Sequence, residues 1–307
     1  MNKLKLAIHC NENRAFIPDI INGMSKGFTV RVGDNKKIQE TFELMKWSDV
    51  SFFEWCDKTA IGISTLPKVC KNIIRLHGYE AFTGMLDAVQ WDYIDKLIIV
   101  SPAMLPVVEG RTGKVKPTVI FNGLNMKNWK YEKKEKGFNI IRIGYINEKK
   151  NLPFIIQIMH DLVKVDNRYM LHLVGESQNT LISRYVRHLT RLLKLEDNII
   201  EHGFLKQEKL NALMGNMNYL LSGSIQESFG YSIAEGMACG LKPVVHWFED
   251  AELIWPEKCL FKSQSEAVEM ITNDEFNSVE YRKFIKDNYS FERQLGEIRQ
   301  LIKEVAK

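Results

Sequence analysis

Between Ser224 and Val245 the chain reads SIQESFGYSIAEGMACGLKPVV, a stretch that concentrates groups able to hold a charged ligand. The apolar run before it reads as a strand. Glu227, Ser228, Phe229 and Gly230 read as a short loop, and a helix then runs toward Cys239 until Gly240 and Pro243 stop it. In an open α/β sheet the carboxyl ends of the strands are where ligands bind. A helix starting in such a loop aims free backbone N–H groups, with the positive end of its dipole, at an anion such as a diphosphate. Gly230 lets the backbone come close to that anion. Glu227 and Glu235 are separated by roughly 80° of rotation if one continuous helix carries both. With Glu227 in the loop and Glu235 on the helix, both can line one cleft. Two plainer readings stand beside this one: Ser232 to Glu235 (SIAE) fits a capping box, and Glu227 fits a solvated loop carboxylate. In the first half, IIRLHGY ends a strand at His77, a position that favours a site, although a lone histidine equally fits a structural role. Glu54, after Ser51 to Phe53, and Glu80 could also reach a cleft, but surface carboxylates are the better reading of both.

The elements that must position these residues are legible as short apolar runs alternating with longer amphipathic ones, the signature of parallel sheets with crossover helices. In the first half, strands fit Leu4 to Cys10, Gly27 to Val32, Val50 to Phe53, Asn72 to Leu76, Leu97 to Val100 and Thr118 to Phe121, with helices at Phe16 to Ser25 and Lys37 to Lys46. In the second half, strands fit Asn139 to Ile143, Met170 to Val174, Asn198 to Glu201, Tyr219 to Ser222 and Pro243 to His246. The count predicts two doubly wound sheets in series. Gly123 to Lys136 (GLNMKNWKYEKKEK) is polar, lysine-rich and without either periodicity, so it reads as the linker between domains at 1–122 and 123–290. Leu295, Ile298, Leu301, Ile302 and Val305 share one helical face, which predicts a terminal helix over 291–307 packing back toward the first domain.

Composition narrows the class. A chain of 307 residues with 45% hydrophobic and 26% charged content suits two globular cores. The surplus of 42 lysines and arginines over 38 acidic residues is too small to argue for a nucleic-acid or membrane partner. Cys10, Cys56, Cys70, Cys239 and Cys259 form no C-x-x-C pair and read as reduced, which points to the cytoplasm. The apolar run after Lys5 breaks at His9 and leads into Asn11, Glu12, Asn13 and Arg14, unlike a signal peptide. No stretch approaches the roughly 20 apolar residues of a transmembrane span, so any membrane contact is expected to be peripheral.

The S-x-x-E, F-G, E-G-M-A-x-G and P-V-V elements of Ser224 to Val245 fall in register with the E-x7-E signature of the retaining glycosyltransferases of family four, which the segment resembles. GFLKQEKLNAL (Gly203 to Leu213) resembles the family's segment before the donor site, and IFNGL (Ile120 to Leu124) its interdomain turn. The resemblance covers nearly all of Thr118 to Lys307 and is weaker over an amino-terminal half that is shorter than usual. It implies an α/β fold of two Rossmann-like doubly wound domains facing a cleft, the GT-B arrangement. It also implies transfer of a sugar, with retained anomeric configuration, from a nucleoside-diphosphate sugar, a UDP- or GDP-sugar, to an unidentified acceptor: glycan, lipid, protein, small molecule or modified nucleic acid.

Position by position, the resemblance gives Glu227 the donor-sugar hydroxyls near the reacting carbon and Glu235 the ribose hydroxyls. The amides of Ser228, Phe229 and Gly230 would face the diphosphate and sugar. IGYINEKKN (Ile143 to Asn151) resembles the family's G-R-x-x-x-x-K-G loop, so Lys150 matches the lysine that neutralises the leaving diphosphate. Tyr145 stands at the family's arginine and Asn151 at its last glycine. A tyrosine supplies no fixed charge, which leaves Lys150, Lys149 and the helix amino terminus to stabilise phosphate. His77 matches a strand-end histidine facing the donor sugar. Gly144, Ser224 and Phe204 complete the implied donor set. Asn11 to Arg14 replace a glycine-rich loop common after the first strand.

A sugar nucleotide carries its own leaving group, so no cofactor is expected. The absence of an Asp-x-Asp loop predicts metal independence, with lysine and helix-end amides in place of a divalent ion. A phosphorylase on the same architecture is disfavoured by the short chain and the lack of a pyridoxal-phosphate lysine site. A non-catalytic sugar-nucleotide-binding or scaffolding protein remains the alternative, kept open by Tyr145.

Overall fold

The computed structural model describes residues 3–10, 16–34 and 36–307. Asn11, Glu12, Asn13 and Arg14 lie outside the described residues. The chain forms two compact units, one built from residues 1–123 and 291–307, the other from 124–290.

In the first unit, β1 (Lys5–His9), β2 (Thr29–Gly33), β3 (Val50–Phe53), β4 (Lys71–Leu76), β5 (Lys96–Ile99) and β6 (Pro117–Val119) form a sheet in the order β2-β1-β3-β4-β5-β6. Every pairing is parallel. The central strands read as unbroken apolar runs because both faces are covered. Leu6, Ile8, Phe52, Ile73 and Ile98 enter one core, and their neighbours Phe53, Ile74, Leu97 and Ile99 enter the other. Helices α1 (Ile17–Ser25), α2 (Ile38–Trp47), α3 (Lys58–Ile63), α4 (Gly78–Ala81) and α5 (Leu105–Val108) lie between the strands in sequence.

In the second unit, β7 (Asn139–Ile143), β8 (Met170–Val174), β9 (Ile199–Gly203), β10 (Tyr219–Ser222), β11 (Lys242–His246) and β12 (Leu260–Phe261) are ordered β12-β11-β10-β7-β8-β9, again all parallel. Its helices are α6 (Leu152–Val165), α7 (Thr180–Leu192), α8 (Gln207–Met214), α9 (Tyr231–Ala238), α10 (Gln264–Thr272) and α11 (Ser278–Asn288). The strand β12 escapes a periodicity reading because two residues carry no period. It is fixed by pairing with β11, Val245 opposite Leu260 and His246 opposite Phe261.

The polar segment read as a linker is instead fastened to the second unit. Trp129 and Lys134 are buried, the Lys134 ammonium donates to the Gly215 carbonyl, and its backbone N–H donates to Ser278 Oγ at 3.0 Å. Asn218 Nδ2 reaches the Glu135 carbonyl at 2.8 Å. A run held by isolated polar bonds has no hydrophobic period to announce it.

The last helix, α12 (Phe291–Val305), belongs to the first unit. Phe291, Leu295, Ile298, Leu301 and Ile302 pack with Ile17, Ile20 and Met24 of α1 in one core. Gln294 Oε1 accepts the Gly123 N–H at 2.8 Å, and Arg299 donates to the Gly23 carbonyl. Ile298 is fully buried, so Ile298→Ala should destabilise the first unit by about 2–5 kcal/mol. Urea unfolding would measure this; an unshifted midpoint would show that α12 adds nothing to the core.

Candidate functional site

In the second unit the strand order grows from β7 toward β9 on one side and from β10 toward β12 on the other. The loops after β7 and β10 therefore diverge and leave a crevice at the carboxyl ends, the general ligand position in open α/β sheets. Lys150 follows β7 and Glu227 follows β10, and the structure joins them: Lys150 Nζ is ion-paired with Glu227 Oε1, with 19% and 10% of the two side chains exposed. Ser224 Oγ donates to the same oxygen at 2.8 Å. Burial opposes ionisation of Glu227, but Lys150 and Lys149 outweigh it and hold its pKa below the usual carboxylate range. Burial lowers the pKa of Lys149, the attraction of Glu227 opposes this, and repulsion from Lys150 adds to it.

The loop carrying Lys150 is built for this approach. Asn147 Oδ1 accepts the Lys150 N–H at 3.2 Å, and the Lys149 carbonyl accepts the Ile225 N–H at 2.9 Å, tying the two loops together. Asn151 sits in the left-handed region at φ 47°, which explains a glycine there in the resembled pattern and asparagine as the next-best residue. Gly144 and Gly175 both have φ 132°, and a Cβ on Gly175 would stand 2.0 Å from the Gly144 carbonyl oxygen. Tyr145 is 50% exposed.

Beneath this loop lies a residue the sequence reading missed. Arg142 of β7 is buried, donates to the carbonyls of Gly144 and Tyr145, and has its pKa lowered to about 10 by burial against the pull of Glu227. The signal was an arginine inside the apolar strand NIIRI, where a charge must find partners. The space enclosed by Arg142, Lys150, Ser224 and Ser232 is about 10 Å³, enough for one water, so any larger ligand lies over these groups.

Gly230 is the N-cap of α9, in the left-handed region at φ 89°, and no side chain caps the helix. The capping-box reading of Ser232 and Glu235 therefore fails, since both lie inside α9. The amides of Ser228, Phe229 and Gly230 donate no hydrogen bond to a described residue. The Phe229 ring is buried against Tyr231, Trp255 and Tyr289, so only its backbone is available to a ligand. Glu235 makes no side-chain hydrogen bond or ion pair with a described residue, and burial raises its pKa to about 7 against the attraction of Lys150. Phe204, just beyond β9, is 64% exposed, and no ring contact with a described residue ties it to this group.

The first unit has its own polar cluster at the carboxyl ends of β3 and β4. Glu54, just past β3, is fully buried, contrary to its reading as a surface carboxylate, as is Glu80 at 2% exposure. Arg75 Nη1 pairs with Glu54 Oε1 at 2.7 Å, and its Nη2 donates to Asn122 Oδ1. His77 Nε2 lies 3.0 Å from Glu54 Oε1, and its ring neighbours Phe16 and Trp55. The strand-end position of His77 is as the sequence places it, and the buried carboxylate orienting its ring is the added feature. Among the described residues no group of three or more His, Cys, Asp or Glu could hold a metal ion, and no helix is long and apolar enough to cross a membrane.

Residues 125–249 match the family described as Glycosyl transferases group 1. None of the curated proteins matches this chain in sequence. The chain is similar in structure to the Anabaena protein HepE in complex with UDP and glucose, with TM-score 0.81, 14% identity, and 98% of this chain and 100% of that chain covered. It is similar also to a glycosyltransferase from Rickettsia africae, with TM-score 0.75, 14% identity and 100% of both chains covered. A third structure, S. aureus TarM in complex with fondaparinux, alpha-GlcNAc-glycerol and UDP, gives TM-score 0.69 and 16% identity over 86% of this chain and 57% of that one. The fold is thus the GT-B fold: two doubly wound parallel α/β sheets in series.

Two outcomes follow from the geometry. Glu54→Ala leaves the Arg75 guanidinium buried without its anion and should cost about 3–5 kcal/mol; a loss below about 1 kcal/mol in urea unfolding would mean that Asn122 alone suffices. Glu235 has a folded pKa of about 7 against about 4.3 unfolded. The folded state then binds the extra proton, and stability relative to a neutral side chain is full below about pH 4 and declines as pH rises through 7. Against wild type, Glu235→Gln should therefore gain stability between pH 5 and pH 8, by less than about 3 kcal/mol because the residue keeps some solvent contact. Parallel melting curves would show it; a constant difference would place the Glu235 pKa near its ordinary value.

Proposed function

We propose that this chain transfers a sugar from a UDP- or GDP-sugar to an acceptor, with retention of configuration and without a metal ion. The observation that carries the reading is the pairing of Lys150 with Glu227 across the strand-order reversal, beside the amides of Ser228, Phe229 and Gly230 ahead of α9, which donate to no described residue. A cation, a carboxylate and a row of N–H groups unbonded to any described residue suit a diphosphate and a polyhydroxyl group together. The match of residues 125–249 to Glycosyl transferases group 1 and the likeness to HepE, which binds UDP and glucose, support a nucleotide-sugar donor.

In this reading the Lys150 ammonium and the amides of Ser228, Phe229 and Gly230 bear the charge that develops on the departing diphosphate. Lys149 adds to the field, and Arg142 holds the Gly144 and Tyr145 carbonyls so that the loop keeps its shape. Glu227, ionised through its two lysines, accepts hydrogen bonds from donor-sugar hydroxyls near the reacting carbon. When donor binds, Lys150 exchanges part of its hold on Glu227 for phosphate oxygens. Glu235, without a partner among the described residues, takes the ribose hydroxyls. Ser224 orients Glu227, and Tyr145 and Phe204 offer exposed rings to the base or sugar. The non-catalytic alternative rests on Tyr145, an exposed neutral ring at the position of an arginine.

The test separates the two glutamates. Glu235→Gln should weaken binding of bare UDP or GDP by about 1.5–3 kcal/mol, whereas Glu227→Gln should spare nucleotide affinity and reduce turnover, measured as donor hydrolysis or transfer. Isothermal titration with UDP and GDP and assays with the glucose-linked forms read both. If neither nucleotide binds wild type, the donor site is refuted; tight binding with no turnover selects the binding protein.

A further inference from the structure

The helix α7 carries surface that the proposed reaction does not use. Its inner face is ordinary core: Val186 and Leu189 are buried, with Ile182 and Leu193 packed beside them. One side of the helix, about 90° round from that core face, exposes Leu181 at 73%, Tyr185 at 46% and Leu192 at 65%. At about 100° per residue these three fall within a stripe about 40° wide, with Arg184, Arg187 and Arg191 along one flank. Lys194 follows just past the helix end. No aspartate or glutamate occurs from Ser177 to Leu195.

On other helices some surface cations pair within a turn, as Lys37 does with Glu40, Lys283 with Asp287 and Arg293 with Glu297. None of Arg184, Arg187, Arg191 and Lys194 forms an ion pair with a described residue. Glu196 and Glu201 line a groove with Arg187 and Arg191 without pairing. Three turns of positive charge without an ion pair among the described residues, beside exposed leucine and tyrosine, match a partner that is both negative and apolar just below its surface.

We propose that α7 docks the second unit on a membrane surface rich in anionic lipid. Leu181, Tyr185 and Leu192 enter the boundary between headgroups and acyl chains, and the four cations lie among the phosphates. Tyr185 suits that boundary because its ring is apolar and its hydroxyl stays wet. A nucleic acid accounts for the cations but leaves the exposed leucines unexplained. A second copy of α7 along the same stripe brings Arg184 and Arg191 against their own images, a like-charge contact.

The test is co-sedimentation of the full chain with vesicles of phosphatidylcholine alone and of equal parts phosphatidylcholine and phosphatidylglycerol. Binding is expected to the mixed vesicles only, and to weaken with salt. Arg184→Glu with Arg191→Glu should lower the partition coefficient at least tenfold, since each cation lost is worth roughly a fivefold change. Leu181→Ser with Leu192→Ser should lower it also, while melting temperatures stay at the wild-type value because these side chains are exposed. The proposal is overturned if wild type fails to bind mixed vesicles, or if the control Lys127→Glu with Lys133→Glu weakens binding equally. It is overturned too if the serine variant binds as wild type does, which would mark α7 as a general polyanion surface.

Discussion

An ammonium and a carboxylate with little solvent left to either meet where the strand order of the second unit reverses, and the loops around them take the shapes that this meeting allows. Each ion alone would be costly at that depth. Together they require the chain after β7 to turn back toward the chain after β10 within one short loop. The left-handed turn at Asn151, the bond from Ile225 to the Lys149 carbonyl and the close approach of Gly144 to Gly175 are the backbone terms of that requirement. Arg142 fills the floor with carbonyl oxygens as its partners, so a third charge is accommodated without another carboxylate.

The same device recurs in the first unit with different partners. Central strands β4 and β7 read NIIRL and NIIRI, and in each the arginine is buried. Arg75 meets the carboxylate of Glu54 and the amide of Asn122, whereas Arg142 meets main-chain carbonyls. In both cases a guanidinium, planar and rich in donors, fixes the strand end and the loop that follows it. Replacing such a group by well-packed apolar residues need not lower stability, so its use here is to hold geometry.

The sequence made the sheets legible because their strands are runs of buried β-branched and aromatic residues, a pattern that survives without any knowledge of partners. The stretch from Ser224 to Val245 stood out for the opposite reason: it breaks that pattern with glycines and carboxylates. What stayed hidden depended on contacts far apart in the chain. Glu54 looked like any loop carboxylate until Arg75 was placed on the next strand, and the lysine-rich segment after Gly123 looked free until Gly215 and Ser278 accepted its bonds. The capping box failed through one backbone angle, since a left-handed Gly230 starts α9 before Ser232 can cap it.

The membership of α12 in the first unit makes that unit discontinuous in the chain, and this orders events on the ribosome. Residues 124–290 are contiguous and can fold as soon as they emerge, but the core around Ile17, Ile20 and Met24 lacks Phe291, Leu295, Ile298 and Ile302 until synthesis has passed them. At about 5–20 residues/s, the nascent first unit waits roughly 9 to 36 s with one apolar face uncovered. The unit translated first is thus the one completed last, and its exposed helix α1 is the place where a chaperone would find this chain during synthesis.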